Sequence, residues 1–173
     1  MAPYNQDVGS TISGQTPVAN ALDADTATIE GSIGQWESWF TTNIAQSTLE
    51  AHSGTHSMKV DLTGGGSWGV QLANFPGFGA TPGSKHVSFW AKKTAGTTSA
   101  VNLRLRWLDV NGQVIDPPTP PADLTLSGLS NSWQQASVNM TAPDSTATLV
   151  VYFLGSGSLN DTFYIDDIVV GDN

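Results

Sequence analysis

The chain has 173 residues, enough for one domain with a substantial core. Hydrophobic residues make up 39% and charged residues only 12%, which excludes a disordered chain and a coiled coil. The net charge of −9, from 15 acidic against 6 basic side chains, offers no basic surface to nucleic-acid phosphates or to an anionic membrane. With no cysteine, disulfides, thiol catalysis and cysteine-based zinc sites are also excluded.

Abundant Gly, Ser and Thr, with few helix formers, point to an all-β protein with many turns. Residues 1–27 are polar and lack periodicity, and are expected to form an N-terminal arm; residues 28–173 are expected to be the globular unit. Met1 to Asp7 hold no basic segment followed by an apolar run, so no secretory signal peptide is seen. No apolar stretch reaches the length of a membrane-spanning helix.

Strand candidates follow at regular spacing. Ser57–Leu62 alternates Met58, Val60 and Leu62 against Lys59 and Asp61, and Trp68–Leu72 follows the Gly64-Gly65-Gly66 turn. Val87–Lys92 sets Val87, Phe89 and Ala91 against Ser88, Trp90 and Lys92. Val101–Trp107 sets Val101, Leu103, Leu105 and Trp107 against Asn102, Arg104 and Arg106, and Asn111-Gly112 turns the chain into Gln113–Ile115. Pro117 to Pro121 reads as a stiff extended loop. Trp133–Met140 and Thr146–Leu154 are further strands, the latter opposing Leu149, Val151 and Phe153 to Val150, Tyr152 and Leu154. Alternating strands of this number pack as a two-sheet antiparallel β-sandwich.

The last strand, Phe163 to Val170, carries Asp166 and Asp167 among Ile, Tyr and Val. A carboxylate buried there costs several kcal/mol, of order 3 or more, unless it is compensated. Either a cation such as calcium binds, or one Asp faces water while the other accepts backbone N–H bonds.

Together these segments resemble the family-4-like carbohydrate-binding modules, the family 4/9/16/22 type. The resemblance rests on Thr28-Ile29-Glu30-Gly31 through Gly34-Gln35-Trp36, on His52-Ser53-Gly54-Thr55-His56-Ser57-Met58-Lys59-Val60, and on Val87-Ser88-Phe89-Trp90-Ala91-Lys92. Trp133-Gln134-Gln135, Ala142-Pro143 and Tyr164-Ile165-Asp166-Asp167 complete the order. It implies a non-catalytic jelly roll with a structural calcium. The implied ligands are the Glu30 and Asp166 side chains and carbonyls at Thr28, His52 and Thr55. It also implies a glycan platform on the outer side of one sheet, where Trp90, Arg104, Arg106 and Tyr152 would converge with Gln71.

No catalytic constellation stands out. His52 and His56 flank a turn, and Glu37 and Glu50 fall in loops without forming a recognisable glycosidase pair. Trp36 and Trp133 are expected in the core and Trp107 in the core or at a sheet edge, while Trp39-Phe40 and Phe75 to Phe78 read as loop aromatics. The platform residues suit a polysaccharide or cell-surface glycan, and equally a protein partner. A chain opening on Met, without signal peptide or catalytic domain, is expected to be a virion decoration or attachment protein that binds glycans. Such a protein would dock on a capsid or scaffold protein through its arm, at a virion or extracellular surface. The alternative is a module of a secreted glycoside hydrolase that binds a plant or bacterial polysaccharide.

Overall fold

The computed structural model describes residues 20–115 and 123–173. The expected proline-rich loop at Pro117 to Pro121, and the arm before Asn20, lie outside the described residues. In chain order the elements are α1 (Ala24–Thr28), β1 (Trp36–Phe40), β2 (Thr42–Ser47), β3 (Ser57–Leu62), β4 (Gly66–Leu72), β5 (Phe78–Gly79), β6 (Gly83–Ala95), β7 (Ala100–Leu108), β8 (Val114–Ile115), β9 (Asp123–Ser127), β10 (Gln134–Ala142), β11 (Thr148–Gly157) and β12 (Thr162–Asp172).

The strands form the expected antiparallel sandwich of jelly-roll type. One sheet runs β1-β4-β11-β7-β8, with β5 also paired to β11 and β9 to β7; the other runs β10-β6-β12-β3-β2. The alternation read from the sequence decides which face of each strand is buried. Leu103, Leu105 and Trp107 of β7 and Leu149, Val151 and Phe153 of β11 point inward and are all but inaccessible to water. They meet Phe89, Val60 and Phe163 of the other sheet. Aromatic pairs tie the layers together: Phe89 lies 5.2 Å from Phe153 and Trp68 lies 4.7 Å from Phe163, between ring centroids, while Trp36 packs on Phe153 at 5.3 Å within the seven-stranded sheet. Burying each such ring contributes about 1.5–3 kcal/mol.

The segment from Asn20 onward, placed in the arm by sequence, belongs to the sandwich. Asn20 bridges Gly171 of β12, its side chain donating to the Ile168 carbonyl and accepting from the Val170 N–H. Leu22, Ala27 and Ile29 are buried in the core. A five-residue helix has little intrinsic stability. Here Asp23 caps its start, accepting from the Thr26 N–H at 2.8 Å, and the Trp36 indole N–H donates to the Thr26 carbonyl at 2.7 Å.

Before β12 the buried Asp161 closes two loops onto each other. Its carboxylate accepts the N–H groups of Thr97, Thr98 and Ser158 at 2.8–3.0 Å and the Thr98 hydroxyl at 2.7 Å. Burial opposes its ionisation, but the donors from Ser158, Thr98 and Thr97 prevail and hold its pKa down to about 2. Gly96, at φ 92°, permits this approach, since a Cβ there would lie 1.8 Å from the Asp161 Oδ1. The stabilisation is present above about pH 4, the ordinary carboxylate range, and is lost as the pH falls through the depressed pKa. Asp161→Ala strands these donors and is expected to cost about 3 kcal/mol, near 10 °C in melting temperature. A thermal melt at pH 7 showing a loss below about 2 °C would refute that role.

Candidate functional site

Outward-facing residues of the seven-stranded sheet form a row that crosses five strands in register. Glu37 of β1 pairs with Gln71 of β4, Gln71 with Tyr152 of β11, Tyr152 with Arg104 of β7, and Arg104 with Asp123 of β9. At about 4.8 Å per strand the row is about 19 Å long. Above it lies an open groove of about 240 Å³ lined by Trp39, Gln71, Arg104, Arg106, Tyr152 and Leu154.

The polar groups of the row hold one another in place. Arg104 is forked onto Asp123, with Nε to Oδ1 at 2.8 Å and Nη2 to Oδ2 at 2.6 Å. The geometry is bidentate, so it fixes the plane of the guanidinium as well as its position. Gln71 donates to Glu37 Oε1 at 2.6 Å. Arg106 lines the groove one outward position further along β7, opposite Val150. Flat aromatic surface is supplied by Tyr152 and by Trp39, whose rings lie 5.8 Å apart and tilted by 46°.

Four of the five expected platform residues, Gln71, Arg104, Arg106 and Tyr152, therefore share one groove. Trp90 does not. It sits on β6 in the opposite sheet, paired with Gln135 and Asp166, with the His52 ring stacked on it at 3.7 Å and 16°. Its outward parity is as expected, but the outward side of β6 is the other surface of the sandwich. Trp133 is half-buried, edge-on to His52 at 5.7 Å, instead of lying in the core. Trp39 completes the groove and Glu37 and Asp123 end the row; they come from strands, β1 and β9, that the sequence did not reveal.

Of the residues named as metal ligands, Glu30 and Asp166 both bond to the loop from His52 to His56. Glu30 accepts the Thr55 N–H and the His56 N–H, each at 3.0 Å to Oε1, and the Thr55 hydroxyl at 3.0 Å to Oε2. These contacts outweigh partial burial and hold the Glu30 carboxyl below its ordinary pKa. Gly54, at φ 60°, allows the loop to close on Glu30, because a Cβ would fall 2.3 Å from Oε1. Asp166 is 0% exposed and accepts the N–H groups of His52 at 2.8 Å and Asp167 at 2.8 Å. Burial, then the charge of Asp167, push its pKa up to about 6 despite those donors. Asp167 adopts φ 46° in the bulge of β12, and its carboxylate lies 2.6 Å from His52 Nδ1 and 2.7 Å from the Ser53 hydroxyl. The Thr28 hydroxyl donates to the Ala24 carbonyl at 2.9 Å within α1. Among the described residues no three His, Cys, Asp or Glu side chains are grouped to hold a metal. Any cation bound by Glu30 and Asp166 would need backbone oxygens.

No family model and no curated protein matches the sequence. Solved structures do match in fold. A family 16 carbohydrate-binding module is 21% identical with a TM-score of 0.61, over 84% of this chain and 96% of that one. A xylan-binding domain of family 22 is 22% identical with a TM-score of 0.59, over 84% and 91%. The enzymatically active domain of tailspike protein 4 from bacteriophage CBA120 is 13% identical with a TM-score of 0.61, over 88% of this chain and 21% of that one. The chain has the jelly-roll fold of the carbohydrate-binding modules, as its sequence motifs imply.

Proposed function

We propose that the protein is a non-catalytic glycan-binding protein and that its ligand lies in the groove over Tyr152. The observation that carries this reading is the in-register row Glu37, Gln71, Tyr152, Arg104 and Asp123 with Trp39 beside it. Planar amide, guanidinium and carboxylate groups suit the paired hydroxyls of a sugar, and flat rings suit its C–H faces. The groove is open and crosses the strands, so it suits an extended polysaccharide segment. The xylan-binding domain of family 22 supplies a precedent for the fold in such a role.

For its setting we propose an accessory at a virion or extracellular surface, docked on a capsid or scaffold protein through the N-terminal arm. The tailspike domain is a precedent for the fold in a bacteriophage. A module of a secreted glycoside hydrolase is the second reading, favoured by the likeness to the family 16 and 22 modules. Calorimetric titration with xylohexaose, cellohexaose and β-1,4-galactotriose tests the binding itself. Tyr152→Ala and Arg104→Ala are expected to weaken binding about 30-fold, as for a buried interface anchor, without lowering the melting temperature. Trp90→Ala, on the opposite sheet, is expected to leave affinity unchanged. Absence of binding, or loss confined to Trp90→Ala, would refute the groove.

We also propose calcium as a structural cofactor, held by Glu30 and Asp166 with carbonyls of Thr28, His52 and Thr55. Support comes from Asp166, a fully buried carboxylate beside a second carboxylate with no Lys or Arg bonded to it among the described residues. Hard oxygen donors from three segments fit calcium, and the ion would supply charge compensation and a cross-link. A chelator is expected to lower the melting temperature of the wild type and to leave Glu30→Ala and Asp166→Ala unaffected. An unchanged wild-type melt would remove calcium from the account.

The metal-free protein should carry a pH signature from Asp166. Its folded pKa, about 6, lies above the ordinary carboxylate value of 3.8, so the folded state holds the proton more tightly. Its contribution is full below about pH 4 and declines as the pH rises through about 6, by roughly 3 kcal/mol for a shift of about two units. Melting curves in chelator from pH 4.5 to 7 should therefore show the wild type losing stability relative to Asp166→Asn. Parallel curves would contradict the assignment.

A further inference from the structure

Neighbouring residues of a strand ordinarily point to opposite faces, yet Trp39 and Phe40 stack on each other at 4.1 Å and 23°. The backbone makes this possible. Phe40 has φ 57°, in the left-handed region, which for a residue with a Cβ costs about 1–2 kcal/mol. The Thr42 hydroxyl holds the corner that follows, its single proton shared between the carbonyls of Trp39 at 2.9 Å and Gly69 at 2.7 Å. Opposite Trp39 in register is Gly69. A Cβ there would lie 3.0 Å from Trp39 Cε3 and 3.3 Å from Phe40 Cδ2, so only glycine leaves the rings uncrowded.

Folding gains little from this arrangement. Phe40 is 59% exposed and Trp39 36% exposed. A corner between β1 and β2 needs a residue that tolerates positive φ, and glycine or asparagine would serve it without strain. An aromatic ring left in water on a strained backbone needs another reason. Trp39 lines the groove and Phe40 does not, so the Phe40 ring stands behind the indole.

We propose that Phe40 is a positioning residue of the groove: it backs the Trp39 ring and fixes its plane toward Tyr152, at the expense of backbone strain. This rests on the glycan-binding reading and sharpens its ligand class. A fixed indole plane favours a pyranose chain whose equatorial hydroxyls leave a flat C–H face, as in β-1,4-linked xylose or glucose.

The test is a cycle of Phe40→Gly, Trp39→Ala and the double variant, titrated with xylohexaose and cellohexaose and followed by thermal melts. Phe40→Gly is expected to weaken binding about 3- to 10-fold, the range of an aromatic pair. Its melting temperature should be unchanged or raised by about 2–4 °C as the strain is released. The double variant should bind no worse than Trp39→Ala. Unchanged affinity in Phe40→Gly, a melting temperature lowered by more than about 4 °C, or an additive loss in the double variant would each overturn the inference. If Tyr152→Ala loses binding while Phe40→Gly does not, the groove stands and this inference alone fails. If the wild type binds β-1,4-galactotriose but neither of these oligosaccharides, the groove stands and the ligand class fails; if it binds none of the three, both fail.

Discussion

Register is the constraint on which the site depends. Glu37, Gln71, Arg104, Asp123 and Tyr152 come from five strands distant in sequence, and they form one row only because every inter-strand register is fixed. The core fixes it. A slip of β7 by one residue would expose Leu103, Leu105 and Trp107 and bury Arg104 and Arg106. Several buried apolar side chains at about 1.5–3 kcal/mol each, plus two buried cations, weigh against that slip. Register brings the residues of the row together, and the Arg104–Asp123 and Gln71–Glu37 pairs orient their polar groups. Their chemistry is free to serve a ligand, while stability resides on the inward face of the same strands.

Two buried carboxylates near the last strand show how local donors decide the outcome of burial. Asp161 and Asp166 are both nearly inaccessible. Asp161 faces three N–H groups and two hydroxyls, with no carboxylate among the groups that shift it, and its pKa falls to about 2. Asp166 also accepts N–H groups, but it is more deeply desolvated and lies beside Asp167, and its pKa rises to about 6. The first is a self-sufficient staple. The second costs stability at neutral pH unless a cation offsets it, and it sits where the loop from His52 to His56 joins β12 to Glu30. That loop bridges Glu30, near the start of the domain, to Asp166, near its end.

The alternating strands were legible because each reports its buried face directly: β3, β6, β7 and β11 have the parity read from sequence. Parity does not say to which sheet a strand belongs. That is why Trp90, outward as expected, reads from sequence as a neighbour of Arg104 and Tyr152 although β6 lies in the other sheet. β1 was hidden for a different reason. Phe40 in the left-handed region breaks the alternation, so Trp39-Phe40 reads as a loop. β9 follows a proline-rich segment and is short, and α1 is held by an Asp23 cap and by tertiary burial, which a five-residue window cannot display. The carboxylate pair in the last strand was legible as a problem needing compensation; which donors surround it depends on a loop more than a hundred residues away.

The two outer surfaces of the sandwich treat aromatic side chains in opposite ways, and the contrast separates structure from function. On the five-stranded sheet, His52 covers the face of Trp90, Trp133 meets His52 edge-on, and Asp167 anchors the imidazole. Apolar surface there is spent within the protein, and the result ties down a loop. On the seven-stranded sheet, Phe40 stays largely in water on a strained corner and Trp39 is partly exposed, its ring tilted toward Tyr152 and left uncrowded by Gly69. Burying those rings on the protein itself would have been worth more to folding. Leaving them exposed beside a fixed row of hydrogen-bonding groups keeps that free energy available for a ligand.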